Sequence, residues 1–180
     1  MKTAVTANYR RKILPFFRKA GIVLTDAEEK GIEIADFGLD DFKTIGLAIV
    51  TYVNTGRYCG KELVLLPKQI CPEHRHPAIS PSNPGKQETF RCRWGMVTLY
   101  VDGAPEGEPE FGLPPGHAKH LTVRKKIVLA PGEQYTIPPD TLHWFQAGLK
   151  GAVVSEFSSP SLDEKDVFTD PAIRRIPAAE

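Results

Sequence analysis

The chain is poor in the features that mark several large protein classes. Its three cysteines, Cys59, Cys71 and Cys92, are odd in number and form no Cys-x-x-Cys pair. That argues against a disulfide framework or a thiolate zinc site and leaves three reduced thiols. Neither sign of charge is in excess: 23 Lys and Arg stand against 22 Asp and Glu over 180 residues. A basic field is what holds nucleic-acid phosphates or anionic lipid, so neither is an expected partner, and the substrate is expected to be small and not highly charged. Long apolar runs are missing too. The longest, residues 46–50 with Thr51, Tyr52 and Val53 beside them, falls far below the roughly 20 residues that cross a bilayer, so no membrane segment is expected. The opening MKTAVTANYRRKILPFF carries early positive charge without an uninterrupted apolar stretch; no secretory signal is read there, and the cytoplasm is the expected location.

What the chain does have is apolar content and frequent turn signals. With 41% hydrophobic residues, 180 positions suffice for one sizeable core and are short for two. A single domain is expected, with 1–45 as an N-terminal helical and strand extension, 46–158 as a barrel core and 159–180 as a tail packed on it. Residues 5–20 space Ile13, Leu14, Phe16, Phe17 and Ala20 as a helix does, with Pro15 inside and Gly21 at the end, which predicts one kinked helix or two short ones. Thr25 followed by Glu28 fits a capping box, yet 31–37 alternates Ile32, Glu33 and Ile34 as a strand would, and the two readings compete. Short β-rich runs follow at 46–53, 61–67, 69–76, 87–93, 96–102, 120–129, 134–137, 142–147 and 151–157. Clusters such as SPSNPGK, PEGEPEFGLPPG, APGEQ and PPDT separate them, the punctuation of a sandwich or small barrel. Residues 102–119 read as a long surface loop or lid.

Against this background one constellation carries chemistry: His74 and His76 in CPEHRHP, Glu88 in GKQETFRCRWG, and His143 in PPDTLHWF. Residues two apart in a strand project to one face, so His74 and His76 can offer both imidazoles to one ion while Arg75 points away. Glu88 shares parity with Phe90, Cys92 and Trp94 on a second strand, and His143 arrives from a third segment. Three imidazoles and a carboxylate leave one or two positions of a six-coordinate ion open, as a catalytic site requires. By the same parity Arg91, Arg93 and Arg75 should face outward or toward a dimer partner.

These strings resemble the two cupin motifs: His74-x-His76, Glu88 and Gly95 in the first, and Gly132, Pro138, Asp140 and His143 in the second. The eleven residues PAISPSNPGKQ between His76 and Glu88 make a longer gap than cupins usually have, and Asp140 stands where Gly is usual. A narrower resemblance covers residues 60–177. CPEHRHPAIS, NPGKQETFRCRWGMVTLYVDG, LAPGEQYTIPPDTLHWFQAG, GAVVSEFSS and DVFTDPAIRRIP look like the D-lyxose isomerases, cupin enzymes that interconvert D-lyxose with D-xylulose and often D-mannose with D-fructose. The long insertion before Glu88 belongs to that pattern. The resemblance implies a mainly β fold, a single jelly-roll barrel with a short N-terminal helical segment, and a homodimer. It also implies manganese as the usual metal, although nitrogen and oxygen donors also accept iron, cobalt, nickel or zinc.

Aldose–ketose isomerisation takes a proton from C2 and delivers one to C1, and a divalent ion chelating O1 and O2 would stabilise the enediolate between them. The base needs hydrogen-bond reach. Glu156 in AVVSEFS is the candidate if the set Ala152, Val154, Glu156 faces inward, where an apolar barrel would surround it; if outward, it is a surface strand residue. Lys86, two before Glu88, would donate to O1 or O2 or neutralise the enediolate, unless it is a solvated loop lysine. Phe90, Trp94, Trp144 and Phe145 could wall the pocket against the apolar face of a sugar, or be core. Cys92 reads as an inert thiol, His117 and His120 as solvent-exposed, and Asp170 as capping a turn before Pro171. Two rivals share the ligand set: a ferrous cupin dioxygenase, and a sugar-binding cupin without catalysis. A phosphosugar isomerase would need a cationic cluster at the pocket, for which the sequence offers only Lys86.

Overall fold

The structure is a computed structural model that describes residues 3–175. Helix α1 (Thr3–Lys19) buries Ile13 and Phe17, one turn apart, against Ala48, Val50, Val64 and Val153. That packing carries the helix through Pro15 as a single element, although proline removes one of its backbone donors. Thr25 caps α2 (Asp26–Gly31) with both halves of the capping box: its hydroxyl accepts from Glu28 N at 3.3 Å, and its own N–H donates to Glu28 Oε2 at 2.7 Å. β1 (Glu33–Ala35) follows at once. The competing readings of this stretch are therefore both realised, one after the other.

The strands β2 (Leu47–Asn54), β3 (Cys59–Leu65), β4 (Ile70–Arg75), β5 (Glu88–Val101), β6 (Lys125–Leu129), β7 (Gln134–Ile137), β8 (His143–Ser158) and β9 (Val167–Phe168) complete one curled sheet. Its named strands pair antiparallel throughout. Two long strands form the spine. β8 pairs with β5 along nearly its whole length, while its first half also pairs with β4 and its second half with β3. A strand that changes neighbour midway closes a sheet on itself and leaves an inside and an outside. The runs 87–93 and 96–102 are thus one strand, as are 142–147 and 151–157. The breaks between them are bulges, at Cys92/Trp94 and Gly95/Val97. Gly95 sits at φ 78°, where a Cβ would stand 2.0 Å from the Gly151 carbonyl oxygen, so close approach of β5 to β8 requires glycine here.

The inner face carries Leu47, Ile49, Leu63, Leu65, Phe90, Val97, Leu99, Phe145 and Val154, the main core. Residues 102–124 hold no strand, only a 3-10 turn at Ala118–His120. They are pinned by Glu73, which is buried and accepts from Thr122 Oγ1 (2.9 Å), Val123 N (2.9 Å) and Thr122 N. The tail wraps back over the barrel: Thr169 Oγ1 donates to the same Glu73 at 2.7 Å, and β9 pairs with β4. No helix among the described residues is long and apolar enough to cross a membrane.

Candidate active site

Three strand ends meet at one mouth of the barrel. β4 supplies His74 and, just past its last residue, His76; β5 begins with Glu88 and β8 with His143, the Cα partner of His74. The ligand atoms of the three histidines lie within 4.8 Å of one another. Glu88 Oε1 stands 3.3 Å from His76 Nε2 and 2.9 Å from His143 Nε2. All three of these atoms are buried and none has a hydrogen-bond partner; the short approach to His143 is not aligned for one. Orphaned buried polar atoms are costly, and here they converge on one point.

Backbone and tail fix which nitrogen points there. His74 Nδ1 is 2.8 Å from Pro72 O, His143 Nδ1 is 2.9 Å from Thr141 O, and His76 Nδ1 is 2.5 Å from Asp166 Oδ1. Each Nδ1–H is thereby committed to an oxygen, which leaves the Nε2 lone pairs facing the cluster, the usual arrangement around a bound cation. Burial, with His143 and His76 adding to it, keeps His74 neutral, well below its ordinary pKa. Burial also opposes charge on His76, but Glu88 and Asp166 outweigh it and push its pKa up to about 9, so that a cation at Nε2 would compete with a proton there. Burial likewise disfavours the Glu88 carboxylate and the Lys86 ammonium; their mutual attraction wins, together with His76 for the first and Glu156 for the second, so both stay charged. The donor set, the convergence of the Nε2 atoms and the orphaned buried atoms fit a divalent ion.

Behind the cluster opens a cavity of about 450 Å³, part of it open to solvent. Two expected residues enter it. Lys86 Nζ lies 2.7 Å from Glu88 Oε2 and 2.5 Å from Glu156 Oε1, and Ser158 Oγ donates to the same Glu156 oxygen at 3.1 Å. Glu156 is thus inward, but its neighbour is an ammonium rather than the expected apolar surround. Phe90 also lines the cavity, packed on Phe145 at 5.2 Å between ring centroids.

Neither Trp144 nor Trp94 lines it, although both were expected as pocket walls and Trp94 shares the parity of Glu88. Trp144 follows His143 on a strand and so points to the opposite face, where it stacks on Tyr100 at 3.9 Å and its Nε1 donates to Val123 O. Trp94 is flipped by the bulge after Cys92: it pairs with outward Val153 and packs edge-on against Phe16 of α1, 5.6 Å between centroids. Cys92 is inward yet away from the cavity. Arg75 pairs with Asp140 and Arg91 with Gln134, both on the outside as expected. His117 is only partly exposed, because its Nδ1 bonds Asp170 Oδ2 at 2.5 Å; the other Asp170 oxygen caps the turn at Ala172 N.

Among the cavity residues not foreseen are Lys61, Asp163, Asp166, Phe168 and Arg175. Lys61 was legible in principle, since it shares parity with Leu63 and Leu65. The others lie in an irregular tail that offers no period to read.

Among the solved structures that resemble this barrel are L-ribose isomerases. The L-ribose isomerase of Acinetobacter sp. DL28, solved with L-ribose, matches with a TM-score of 0.80 over 96% of this chain and 94% of its own, at 15% identity. That of Cellulomonas parahominis matches with a TM-score of 0.78 over the same shares, at 16% identity. At these identities the likeness speaks for the fold. No family model matches the chain. Sequence relatives go further: it is 60% identical over 168 residues to the D-lyxose ketol-isomerase of Thermofilum sp. (93% of each chain) and 57% identical over 171 residues to that of Cohnella laeviribosi (95% and 93%). It is 54% identical to the D-lyxose/D-mannose isomerase of Thermosediminibacter oceani over 180 residues, all of this chain and 99% of the other. The chain belongs to the D-lyxose ketol-isomerase family and is an aldose–ketose isomerase.

Proposed function

We propose that the protein interconverts D-lyxose with D-xylulose, and D-mannose with D-fructose, by proton transfer through an enediol, with manganese held by His74, His76, Glu88 and His143. When bound there, the ion supplies a Lewis acid for the sugar carbonyl. The remaining chemistry belongs to the side chains. Glu156 takes the C2 proton, which exchanges with solvent on the carboxyl group, and then delivers a proton to C1, while the O2 proton ends on O1, so that substrate and product are isomers with no net proton change. Lys86, held between Glu88 and Glu156, neutralises the carboxylates and donates to the oxygen on which charge develops. Ser158 fixes the orientation of Glu156. Phe90 and Phe145 keep the cavity wall apolar on the side where a sugar presents its C–H face.

The observation that carries this reading is the placement of Lys86 at 2.7 Å from Glu88 and 2.5 Å from Glu156, which joins the carboxylate beside the three histidines to a second one outside that cluster. A dioxygenase has no use for that second carboxylate. Following the resemblance, the enzyme works as a homodimer in the cytoplasm; sedimentation at twice the 19.9 kDa chain mass checks the assembly. The reaction itself is tested by proton NMR of D-lyxose and of D-mannose in deuterated water, with manganese-loaded and chelator-treated protein side by side. Ketose in the loaded tubes alone, with deuterium at C1, is the expected result. No ketose from either aldose sinks the proposal.

A further inference from the structure

The cavity has a second polar end that the proposed chemistry does not use. On the inner face, cross-strand register runs Phe90, Glu156, Lys61 over β5, β8 and β3, so Lys61 stands one strand beyond the proposed base, on the side away from Glu88. Its Nζ donates to Ser161 Oγ at 2.8 Å and to Asp163 Oδ1 at 3.0 Å. Asp163 also accepts from Arg175 Nη2 at 2.9 Å, and Arg175 in turn pairs with Glu33. Lys61, Asp163 and Arg175 all line the same cavity as His74, Glu88 and Glu156. A sugar whose C1 and C2 lie beside Glu156 on the cavity side would extend its remaining carbons toward this network, since Lys61 is the cross-strand partner of Glu156.

Resting on that functional reading, we propose that Lys61, Asp163 and Arg175 form a subsite for the terminal hydroxyl of the sugar, and that it selects an uncharged terminus against a phosphate ester. The argument is one of charge balance. Lys61 and Arg175 add two cations to the cavity beyond the one legible in the sequence, as a phosphate site would need. Yet both bind the same Asp163, and Glu33 stands on the other side of Arg175, so two positive charges face two negative ones. A phosphate ester carries close to two negative charges. It would have to displace Asp163 from two partners or sit against its carboxylate. A hydroxyl, donor and acceptor at once, meets the network without charge imbalance. Asp163, whose side chain is 30% exposed, is the most open of the charged groups in the network and the natural acceptor for the hydroxyl proton.

The test compares D-lyxose with its 5-deoxy analogue and its 5-phosphate, on native and Asp163→Asn protein loaded with manganese. Binding of the corresponding pentitol, which cannot react, is followed by calorimetry, and manganese affinity serves as a control. Native protein should lose about tenfold or more in kcat/KM on 5-deoxy-D-lyxose, mostly through KM, and should not bind the 5-phosphate. Asp163→Asn should lose that discrimination and bind the pentitol at least fivefold more weakly, while manganese affinity stays within about twofold. Undiminished turnover of the 5-deoxy sugar or binding of the phosphate ester by native protein overturns the proposal even if the variant fails to fold. A parallel fall in manganese affinity in the variant overturns it as well, by making Asp163 a structural tie. Failure of the functional reading looks different: no ketose from D-lyxose or D-mannose with native protein, whereas the pentitol titration still reads the subsite.

Discussion

His76 and Asp166 are ninety positions apart in the chain, yet His76 Nδ1 lies 2.5 Å from Asp166 Oδ1. A residue of the C-terminal tail therefore sets the tautomer and ring angle of a proposed metal ligand from the first half of the sequence. Such partners raise ligand basicity and hold the imidazole ready for the ion. Asp166→Asn should lower manganese affinity about 10- to 100-fold, while kcat at saturating metal changes by only a few-fold. Metal titration of chelator-treated protein measures this, and unchanged affinity would show the contact to be incidental.

Glu156→Gln removes the proposed base but keeps its volume, and the four ligands are untouched. Manganese content should stay native while kcat falls by about 10²- to 10⁴-fold, the usual range for losing a positioned acid–base group. His76→Ala and His143→Ala should instead lose metal and turnover together. Steady-state rates with metal analysis on the same samples separate the two patterns; normal activity in Glu156→Gln would remove Glu156 as the base.

Asp163 gives the fold a particular acid sensitivity. Burial alone would raise its pKa, but Lys61, Ser161 and Arg175 together hold it well below the ordinary value of 3.8. A carboxylate depressed in the folded state contributes stability that is fully present above the unfolded value and is lost as pH falls below it toward the folded one. Thermal stability should therefore drop on acidification below about pH 4, and Asp163→Asn should flatten that part of the profile while lowering the plateau above it. Melting curves of both proteins between pH 2 and about 7 would show it; an unchanged acid slope in the variant would contradict the assignment.

Glu73 is 1% exposed and accepts from Thr122, Val123 and Thr169, which ties the long loop and the tail to β4 one residue before His74. Glu73→Ala strands these donors, and the cost should be on the order of 3 kcal/mol in urea unfolding. A loss under about 0.5 kcal/mol would mean that water replaces the carboxylate without penalty.

What the sequence determined by itself was everything carried by short-range spacing. The two-residue step from His74 to His76, the strand that begins at Glu88 and the turn before His143 were legible because alternation along a strand is local. The same rule grouped Glu156 with Val154 on one face, but which face turns inward was open in the sequence and was decided by the barrel. It misled at Trp94, where a single bulge shifts the period; at Trp144 the rule itself, applied to the immediate neighbour of inward His143, argues against the expected pocket wall. The partnership of Lys86 with both Glu88 and Glu156, the arrival of Asp163, Asp166 and Arg175 from the tail, and the matching of Lys61 by Asp163 were decided only in three dimensions. These contacts join segments up to about a hundred positions apart, through strand register and an irregular tail, and neither leaves a periodic trace in the chain. The proposed metal ligands could be read from the sequence because each lies on a regular strand or at its end; the residues that orient, neutralise and surround them lie largely where the chain is irregular, and closure of the barrel places them.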